Sequence, residues 1–371
     1  MDAKNLPSEG NNEVSRQRFM FCADAGLLKH AIPEQYGGHG DSFRDLCQAH
    51  RALGRTSQDS GLILSVNAHL WGCVFPLLHY GTEQQKKHYL PNLLSGKFIG
   101  GLAITEPQAG SDLKALQTEA VYMDESFLLQ AVHIDKGYIL NGHKRFISNA
   151  PIADCLVVYA KLDNKLSAFI VHKDDPGVQF IDSHNVSGCA TATMGEVIME
   201  DAVIPLSRQL GKTGAGNMMI QYTLELERAF VFAGIAGIMD WQLDLVVKHS
   251  RERKVDGEHL GKKQAVSHKI AEMKLRLDSV YLWLHECARL KNNGKRITLA
   301  SAQTKLFASE AFLQSSLDAV HILGARGIAK NSHINRLVND AMASQLFSGS
   351  SEIQKNIIAA LLGTGDGYHS K

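Results

Sequence analysis

An acidic and a basic residue stand side by side within an apolar segment of the chain. Glu227 and Arg228 lie in LELERAFVFAGIAG, a segment that is expected to be helical. An unpaired carboxylate is costly to bury, so the charge requires a function or a partner. Desolvation raises the pKa of a carboxyl group, which suits a base that removes a weakly acidic proton. The pair therefore predicts either a catalytic base or a buried salt bridge in which Arg228 is a candidate partner.

A glycine-containing loop could bind an anionic ligand. In AITEPQAGSD, Pro107 and Gly110 shape a turn. Thr105 and Ser111 add short hydroxyl groups beside exposed backbone amides, a combination that can hold an anion. An ordinary β-turn would have the same composition, so this loop by itself leaves both interpretations open.

The block KRFISNA is expected to form an extended strand. Phe146 and Ser148 should then lie on the same side of that strand, because alternate strand residues share a face. Packing within a β domain would also explain the two residues. No GxGxxG motif lies between a strand and a helix, so a Rossmann-type dinucleotide fold is not indicated.

Apolar residues recur at helical spacing between Phe43 and Lys97, within the first part of the chain, residues 1–97. Within it, Thr82 followed three residues later by Gln85 has the form of a capping box, which predicts a helix start. This region is therefore interpreted as a helical N-terminal unit.

Short β-rich runs separated by turn residues follow in residues 98–205. Asn141-Gly142 and Asp163-Asn164 are expected to form tight reversals, because asparagine and glycine tolerate positive φ. Antiparallel pairing is therefore favoured over a parallel sheet with crossover helices.

Helical periodicity returns in residues 206–371 and indicates a helical bundle. One regular seam alternates steps of four and three, and it comprises Val266, Ile270, Met273, Leu277, Val280, Leu284 and Cys287. A second helix is expected from Leu306, Leu313, Leu317 and Val320, with Gly324 and Gly327 ending it.

Composition excludes several classes of protein. The chain has 371 residues, of which 44% are hydrophobic, and a formal net charge of +1 predicts no general attraction to nucleic acid or membrane surfaces. Six scattered cysteines without a CxxC pair, and no histidine at zinc-ligand spacing, indicate neither a disulfide framework nor a metal site. The polar start lacks a signal or leader pattern, and no apolar run approaches about twenty residues. A cytoplasmic protein is expected.

Five blocks of sequence together resemble the acyl-CoA dehydrogenase superfamily. They appear in the expected order as AGLLKHAIPEQYGGHG, AITEPQAGSD, NGHKRFISNA, LERAFVFAGIAG and FSGSSEIQ. The resemblance implies an α+β multi-domain fold, with an N-terminal helical domain (1–97), a middle antiparallel β domain (98–205) and a C-terminal four-helix bundle (206–371). It also implies FAD as the cofactor.

The resemblance assigns roles around that flavin. It implies that Thr105 faces the flavin pyrimidine and that Ser111 faces the pyrophosphate. Phe146 is expected to cover the isoalloxazine, and the hydroxyl of Ser148 to approach the nitrogen that accepts hydride.

The family places its catalytic carboxylate either before an arginine in the helix or before a glycine in the C-terminal loop. Here the second position is Ser348, so the resemblance implies that Glu227 is the base and that Arg228 belongs to the same site. Glu227 would take the α-proton of an acyl thioester while hydride leaves the neighbouring atom for the flavin.

Residues from a second subunit are also implied. Arg253 matches an arginine that reaches the FAD of a neighbouring subunit, and Gln264 matches a glutamine at the same interface; Gly324 and Ser350 match cofactor-binding positions. A homotetramer is therefore expected, although Arg253 would also fit a solvated helix end. The chain departs from the usual family residues at Asp256, His321 and Ala325.

Within the superfamily, the chain resembles the prolyl-carrier-protein dehydrogenases and oxidases of natural-product pathways, particularly the prolyl-ACP oxidase type of anatoxin biosynthesis. The implied substrate is proline held as a phosphopantetheine thioester on an acyl carrier protein, and oxygen or an electron carrier would reoxidise the flavin. A branched- or medium-chain acyl-CoA dehydrogenase is the first alternative. A flavin-binding scaffold without catalysis is the second.

Overall fold

The computed structural model describes residues 12–124, 136–182 and 186–365. Helices form the first part, namely α1 Asn12–Asp24, α2 Phe43–Ser57, α3 Ser60–His69, α4 Phe75–Tyr80 and α5 Glu83–Leu94. The predicted capping box is confirmed, since Gln85 N–H donates to Thr82 Oγ1 and Thr82 N–H donates to Gln85 Oε1 at the start of α5. A π-helical turn, Leu70–Val74, joins α3 to α4.

A sheet of eight strands forms the middle of the molecule. Its strands are β1 Leu102–Ala103, β2 Glu119–Met123, β3 Gly137–Ser148, β4 Cys155–Leu162, β5 Lys165–His172, β6 Val178–Asp182, β7 Met194–Pro205 and β8 Gln209–Leu210. Seven of them run in the order β6-β7-β3-β2-β4-β5-β8, and β1 joins β4. Most pairs are antiparallel, but β1 and β2 both pair with β4 in parallel. The sheet is therefore mixed: antiparallel pairing predominates, as predicted, and the two parallel pairings with β4 were not predicted.

The two predicted reversals have different outcomes. Asp163 and Asn164 have φ of 51° and 58° and connect β4 to β5, as predicted. Asn141-Gly142 lies instead within β3, where the pairing with β7 shifts register. A Cβ at Gly142 would lie 2.4 Å from Thr118 Oγ1, so glycine serves here for close approach between neighbouring segments rather than for a reversal.

The C-terminal part consists of helices α6 Gly216–Glu252, α7 Gln264–Asn292, α8 Thr298–Leu323, α9 His333–Ser344 and α10 Ser351–Leu361. A short hairpin of β9 Lys254–Val255 and β10 Glu258–His259 connects α6 to α7. The seam predicted on α7 is confirmed, because its members from Met273 to Cys287 are buried. Gly324, with φ of 59°, follows the last residue of α8 as predicted.

Helix α8 exists as predicted but buries another face. Leu306, Leu313 and Leu317 are only half-buried. The fully buried positions are mostly small or hydroxyl-bearing: Ala302, Thr304, Ala308, Ser309, Ala311, Ser315, Ser316 and Ala319. Small side chains allow neighbouring helices to approach closely, and a search for large apolar residues does not find them.

Two helical segments are long and apolar enough to cross a membrane by length and composition alone. They are Ser60–Tyr80 and Gly216–Glu252. In their most apolar windows, 94% and 72% of the residues are buried inside the protein. Both therefore serve as core helices in this fold.

Candidate active site

Glu227 lies on α6, surrounded by the buried residues of the core. Burial of its carboxyl group raises the pKa above the usual value, while the side chain of Ser348 and the charge of Arg228 act in the opposite direction. The desolvation effect is the largest of the three. The carboxylate of Glu227 is therefore a stronger base than that of an exposed glutamate.

Arg228 is buried but does not form the predicted salt bridge with Glu227. The two side chains have no ion pair within 4.0 Å. Instead, Arg228 Nε donates a hydrogen bond of 3.1 Å to the carbonyl oxygen of Ser348. This contact weakens the interpretation of Glu227 as one half of a structural ion pair. It also directs Arg228 towards the segment between α9 and α10 rather than towards a reacting atom.

That segment, residues 345–350, is named here the C-terminal loop. It turns back sharply, because Ser348 and Gly349 have φ of 55° and 93°. Gln354 Nε2 donates to the carbonyl oxygen of Gly349 at 2.8 Å. The hydroxyl oxygen of Ser348 is buried, and no hydrogen bond to it lies within 3.5 Å in the described structure. The side chain is nevertheless close enough to Glu227 to lower the pKa of its carboxyl group. The two positions that the family uses for its base are thus adjacent in space.

The two predicted flavin-facing segments are joined to each other. Arg145 N–H donates to the carbonyl oxygen of Thr105 at 2.8 Å. Directly beside this contact, Lys144 Nζ is paired with Glu106 Oε1 at 2.7 Å, and both side chains are almost completely buried. Glu106 also accepts hydrogen bonds from Thr118 N–H and Oγ1. The loop and the strand are therefore positioned as one unit.

Phe146 projects from a β-bulge. Between Lys144 and Ile147, strand β3 has one residue more than its partner β7. Phe146 has φ of 56° and remains 49% exposed, although it is a large aromatic residue. The guanidinium of Arg145 lies 5.0 Å from the centre of its ring. An exposed aromatic face, with the half-buried Ser148 on the same strand, fits the planar ring of a flavin.

The remaining predicted cofactor residues lie at other places. Ser111 is exposed in the loop that follows Thr105, and Ser350 lies in the C-terminal loop as the residue before α10. Arg253, Gln264 and Gly324 are exposed at the end of α6, the start of α7 and the end of α8. A single chain does not bring these three to Glu227, and their role across a subunit interface stays a prediction.

Sequence reasoning missed two buried lysines. Lys144 stands directly before the predicted strand residues, and Lys305 on α8 is also completely buried. Lys305 Nζ donates to the carbonyl oxygen of Gln345 in the C-terminal loop at 2.7 Å. Lys144 stands among polar neighbours in NGHKRFISNA, and nothing in SAQTKLFASE distinguishes Lys305 from a surface lysine, so the sequence contains no signal for either.

Three potential metal ligands also lie together, although their spacing in the sequence did not predict a metal site. His30, His39 and Asp41 come from the two ends of one loop, and their ligand atoms lie within 4.8 Å of one another. His30 Nδ1 is 2.5 Å from Asp41 Oδ2. Two ligands of one tetrahedral zinc ion are about 3.3 Å apart, given metal–ligand distances of about 2.0 Å. The contact therefore describes a direct hydrogen bond that fixes the loop.

Comparison with known proteins covers almost the whole chain. Residues 4–97, 101–202 and 214–363 match the N-terminal, middle and C-terminal domains of acyl-CoA dehydrogenases. The L-prolyl-(peptidyl-carrier protein) dehydrogenase of Pseudomonas fluorescens is 38% identical over 365 residues, with 96% of this chain and 93% of that protein covered. The mitochondrial isovaleryl-CoA dehydrogenase of Arabidopsis thaliana is 35% identical, with 91% and 83% covered.

Solved structures give the same result. The prolyl acyl carrier protein oxidase AnaB has a TM-score of 0.89 and 36% identity, with 94% of this chain and 90% of that chain covered. The structure described as PigA with FAD and proline has a TM-score of 0.86 and 32% identity, with 95% and 90% covered. The fold class and the resemblance predicted from the sequence are confirmed. This chain belongs to the acyl-CoA dehydrogenase family.

Proposed function

We propose that this protein oxidises a prolyl group held as a thioester on a carrier protein, with FAD as the hydride acceptor. The observation that carries the proposal is the position of Glu227, half-buried on α6 beside the C-terminal loop, where desolvation raises its pKa and suits it as a base for a carbon acid. The choice of a prolyl substrate is supported by the two prolyl-carrier relatives, which cover nearly the full length of the chain.

Glu227 takes the α-proton of the thioester in this proposal. The carboxylate must be ionised before it can do so, and the nearby Ser348 and Arg228 keep a fraction of it ionised against the effect of burial. Bound FAD would supply the acceptor for the hydride that leaves the neighbouring ring atom. The product would be a pyrroline-type thioester that has lost two hydrogens.

Thr105, Ser111, Phe146 and Ser148 would hold the flavin. The exposed ring of Phe146 offers a face for the isoalloxazine, and the Glu106–Lys144 ion pair keeps the loop and the strand in register. Backbone amides and hydroxyl groups of the loop would receive the polar edge and the pyrophosphate. Arg253, Gln264 and Gly324 would complete the site from a second subunit in a homotetramer.

Reoxidation of the flavin would transfer two electrons to oxygen or to an electron carrier. We also propose a cytoplasmic location. The five buried cysteines and the half-buried Cys47 would remain as thiols there.

A second candidate is the oxidation of a branched-chain acyl-CoA. It is favoured by the 35% identity to an isovaleryl-CoA dehydrogenase. The same base and the same hydride acceptor would be used, so the difference lies in the thioester carrier and the acyl group.

Anaerobic reduction of the bound flavin separates these functions. The FAD-loaded protein is mixed with prolyl-carrier protein, prolyl-CoA, isovaleryl-CoA or free proline, and the flavin absorbance and the product mass are followed. We expect bleaching and loss of two hydrogens with prolyl-carrier protein. Faster bleaching by isovaleryl-CoA would favour the second candidate, and no bleaching by any thioester would indicate a flavin-binding scaffold.

A further inference from the structure

Lys305 is a fully buried cation without a carboxylate partner in the described structure. Its exposed fraction is 0%, and its one hydrogen bond there joins Nζ to the carbonyl oxygen of Gln345. Burial lowers the pKa of its ammonium group to about 8. A buried lysine of this kind costs free energy, so its position on α8 requires a compensating role.

The C-terminal loop is attached to two helices through carbonyl oxygens. Lys305 on α8 binds the oxygen of Gln345 at one end of the loop, and Arg228 on α6 binds the oxygen of Ser348 near the other end. Hydrogen bonds from charged donors are stronger than those from neutral donors. The two cations thus hold the turn that carries Ser348.

The adjacent helix start adds a third attachment. Ser351 Oγ donates to Glu310 Oε1 at 2.9 Å, and Glu310 lies on α8 one to two turns after Lys305. The charges of Glu310 and Glu352 raise the pKa of Lys305, whereas Arg228 lowers it. Helix α8 therefore contacts both ends of the segment that faces Glu227.

We propose that Lys305 is a positioning residue for the catalytic base. It fixes residues 345–350 so that Ser348 remains beside the carboxyl group of Glu227. This inference rests on the proposed role of Glu227 as the base. Without Lys305 the loop relaxes, the contribution of Ser348 is lost, and Glu227 is less ionised at neutral pH.

Lys305→Met tests the proposal because methionine fills similar volume without a donor. The first measurement is hydrogen–deuterium exchange of peptides that cover residues 345–354, which needs no substrate. The second is the rate of flavin reduction by substrate against pH. We expect faster exchange in that segment, a roughly tenfold fall in kcat at pH 7, and a profile displaced to higher pH. KM and FAD content should change little.

Lys305→Gln and Lys269→Met serve as matched variants. Glutamine retains a hydrogen-bond donor and should recover most of the rate. Lys269 Nζ binds Asp318 at 2.9 Å between α7 and α8, so its removal should lower stability without altering the pH profile.

The proposal is overturned if folded Lys305→Met shows unchanged exchange in residues 345–354, or if Lys269→Met displaces the pH profile equally. If Lys305→Met does not fold, Lys305→Leu, which also lacks a donor, decides by the same two readouts. A wild-type protein that no thioester reduces would contradict the proposed function, while the exchange experiment would still decide whether Lys305 fixes the loop.

Discussion

Two buried lysines support the two halves of the site in different ways. Lys144 is neutralised by Glu106, and this ion pair joins the two segments expected to face the flavin. Lys305 forms no ion pair in the described structure and donates to a carbonyl oxygen, although the charges of Glu310 and Glu352 raise its pKa. The flavin side is thus held by a direct ion pair, whereas the side of the base is held by hydrogen bonds from Lys305 and Arg228 to backbone carbonyl oxygens.

The difference has an electrostatic consequence. On the side of the base, the charge of Arg228 lowers the pKa of the Glu227 carboxyl group against the larger effect of burial, which raises it. A neutral pair gives rigidity without altering the potential at a distance. The molecule therefore combines a rigid cofactor surface with a charged environment around the proposed base, and each half can be tested separately.

The largest effect is expected for Glu227→Gln. The amide retains the shape of the side chain but cannot accept the proton, so flavin reduction by substrate should fall by about three orders of magnitude. FAD content and thermal stability should stay near wild type. Stopped-flow absorbance measures the rate, and full bleaching at the wild-type rate would remove Glu227 from its role.

Lys144→Met should be the most destabilising change. It leaves the carboxylate of Glu106 buried without its cation, and breaking such a pair costs about 3–5 kcal/mol. We expect a lower denaturant midpoint and weaker FAD binding by the folded fraction. The double variant Glu106→Gln/Lys144→Met should regain part of the loss. If the single and double variants are equally destabilised, the ion pair is not what joins the two segments.

Acid should weaken the flavin side through protonation of Glu106. Burial alone would raise the pKa of Glu106, but Lys144 and the hydrogen bonds lower it to about 2. Because the folded-state pKa is lowered, this stabilisation is present above pH about 4.5 and is lost as the pH falls towards 2. Acid unfolding followed by circular dichroism should depend less on pH in Glu106→Gln. An identical pH dependence in both proteins would contradict the assignment.

The smallest effect is expected for Ser348→Ala. The serine lowers the pKa of Glu227, so its removal should raise that pKa and displace the rate profile to higher pH. The rate at pH 7 should fall by a factor of about three to ten, since loss of one polar interaction with an ionised carboxylate corresponds to roughly 1 kcal/mol. A displacement to lower pH would show that Ser348 does not act on the ionised form.

Sequence reasoning found the elements whose chemistry is local. The capping box at Thr82, the seam on α7 and the reversal at Asp163-Asn164 depend on residues close in sequence, and all three are present. Glu227 was also recognisable, because a charge in an apolar helix is conspicuous. Its raised pKa followed from the same observation.

Features that depend on partners far away in the sequence could not be predicted from the sequence. The parallel pairing of β2 with β4 is decided by strand order, and the bulge at Phe146 is visible only against β7. The burial of Lys305 depends on a carbonyl oxygen 40 positions further along the chain. Such contacts leave no periodic pattern in the residues around them.

The bulge in β3 changes which residues of the strand face inward. Lys144 and Ile147 both point into the protein although three positions separate them, and Arg145 and Phe146 share the place of a single residue opposite Glu196. Removing one of those two residues would restore regular alternation with Lys144 and Ile147 still facing inward, but the strand would lose either the guanidinium or the aromatic ring. One additional residue thus permits a buried lysine anchor and an outward aromatic ring within the same short stretch of chain.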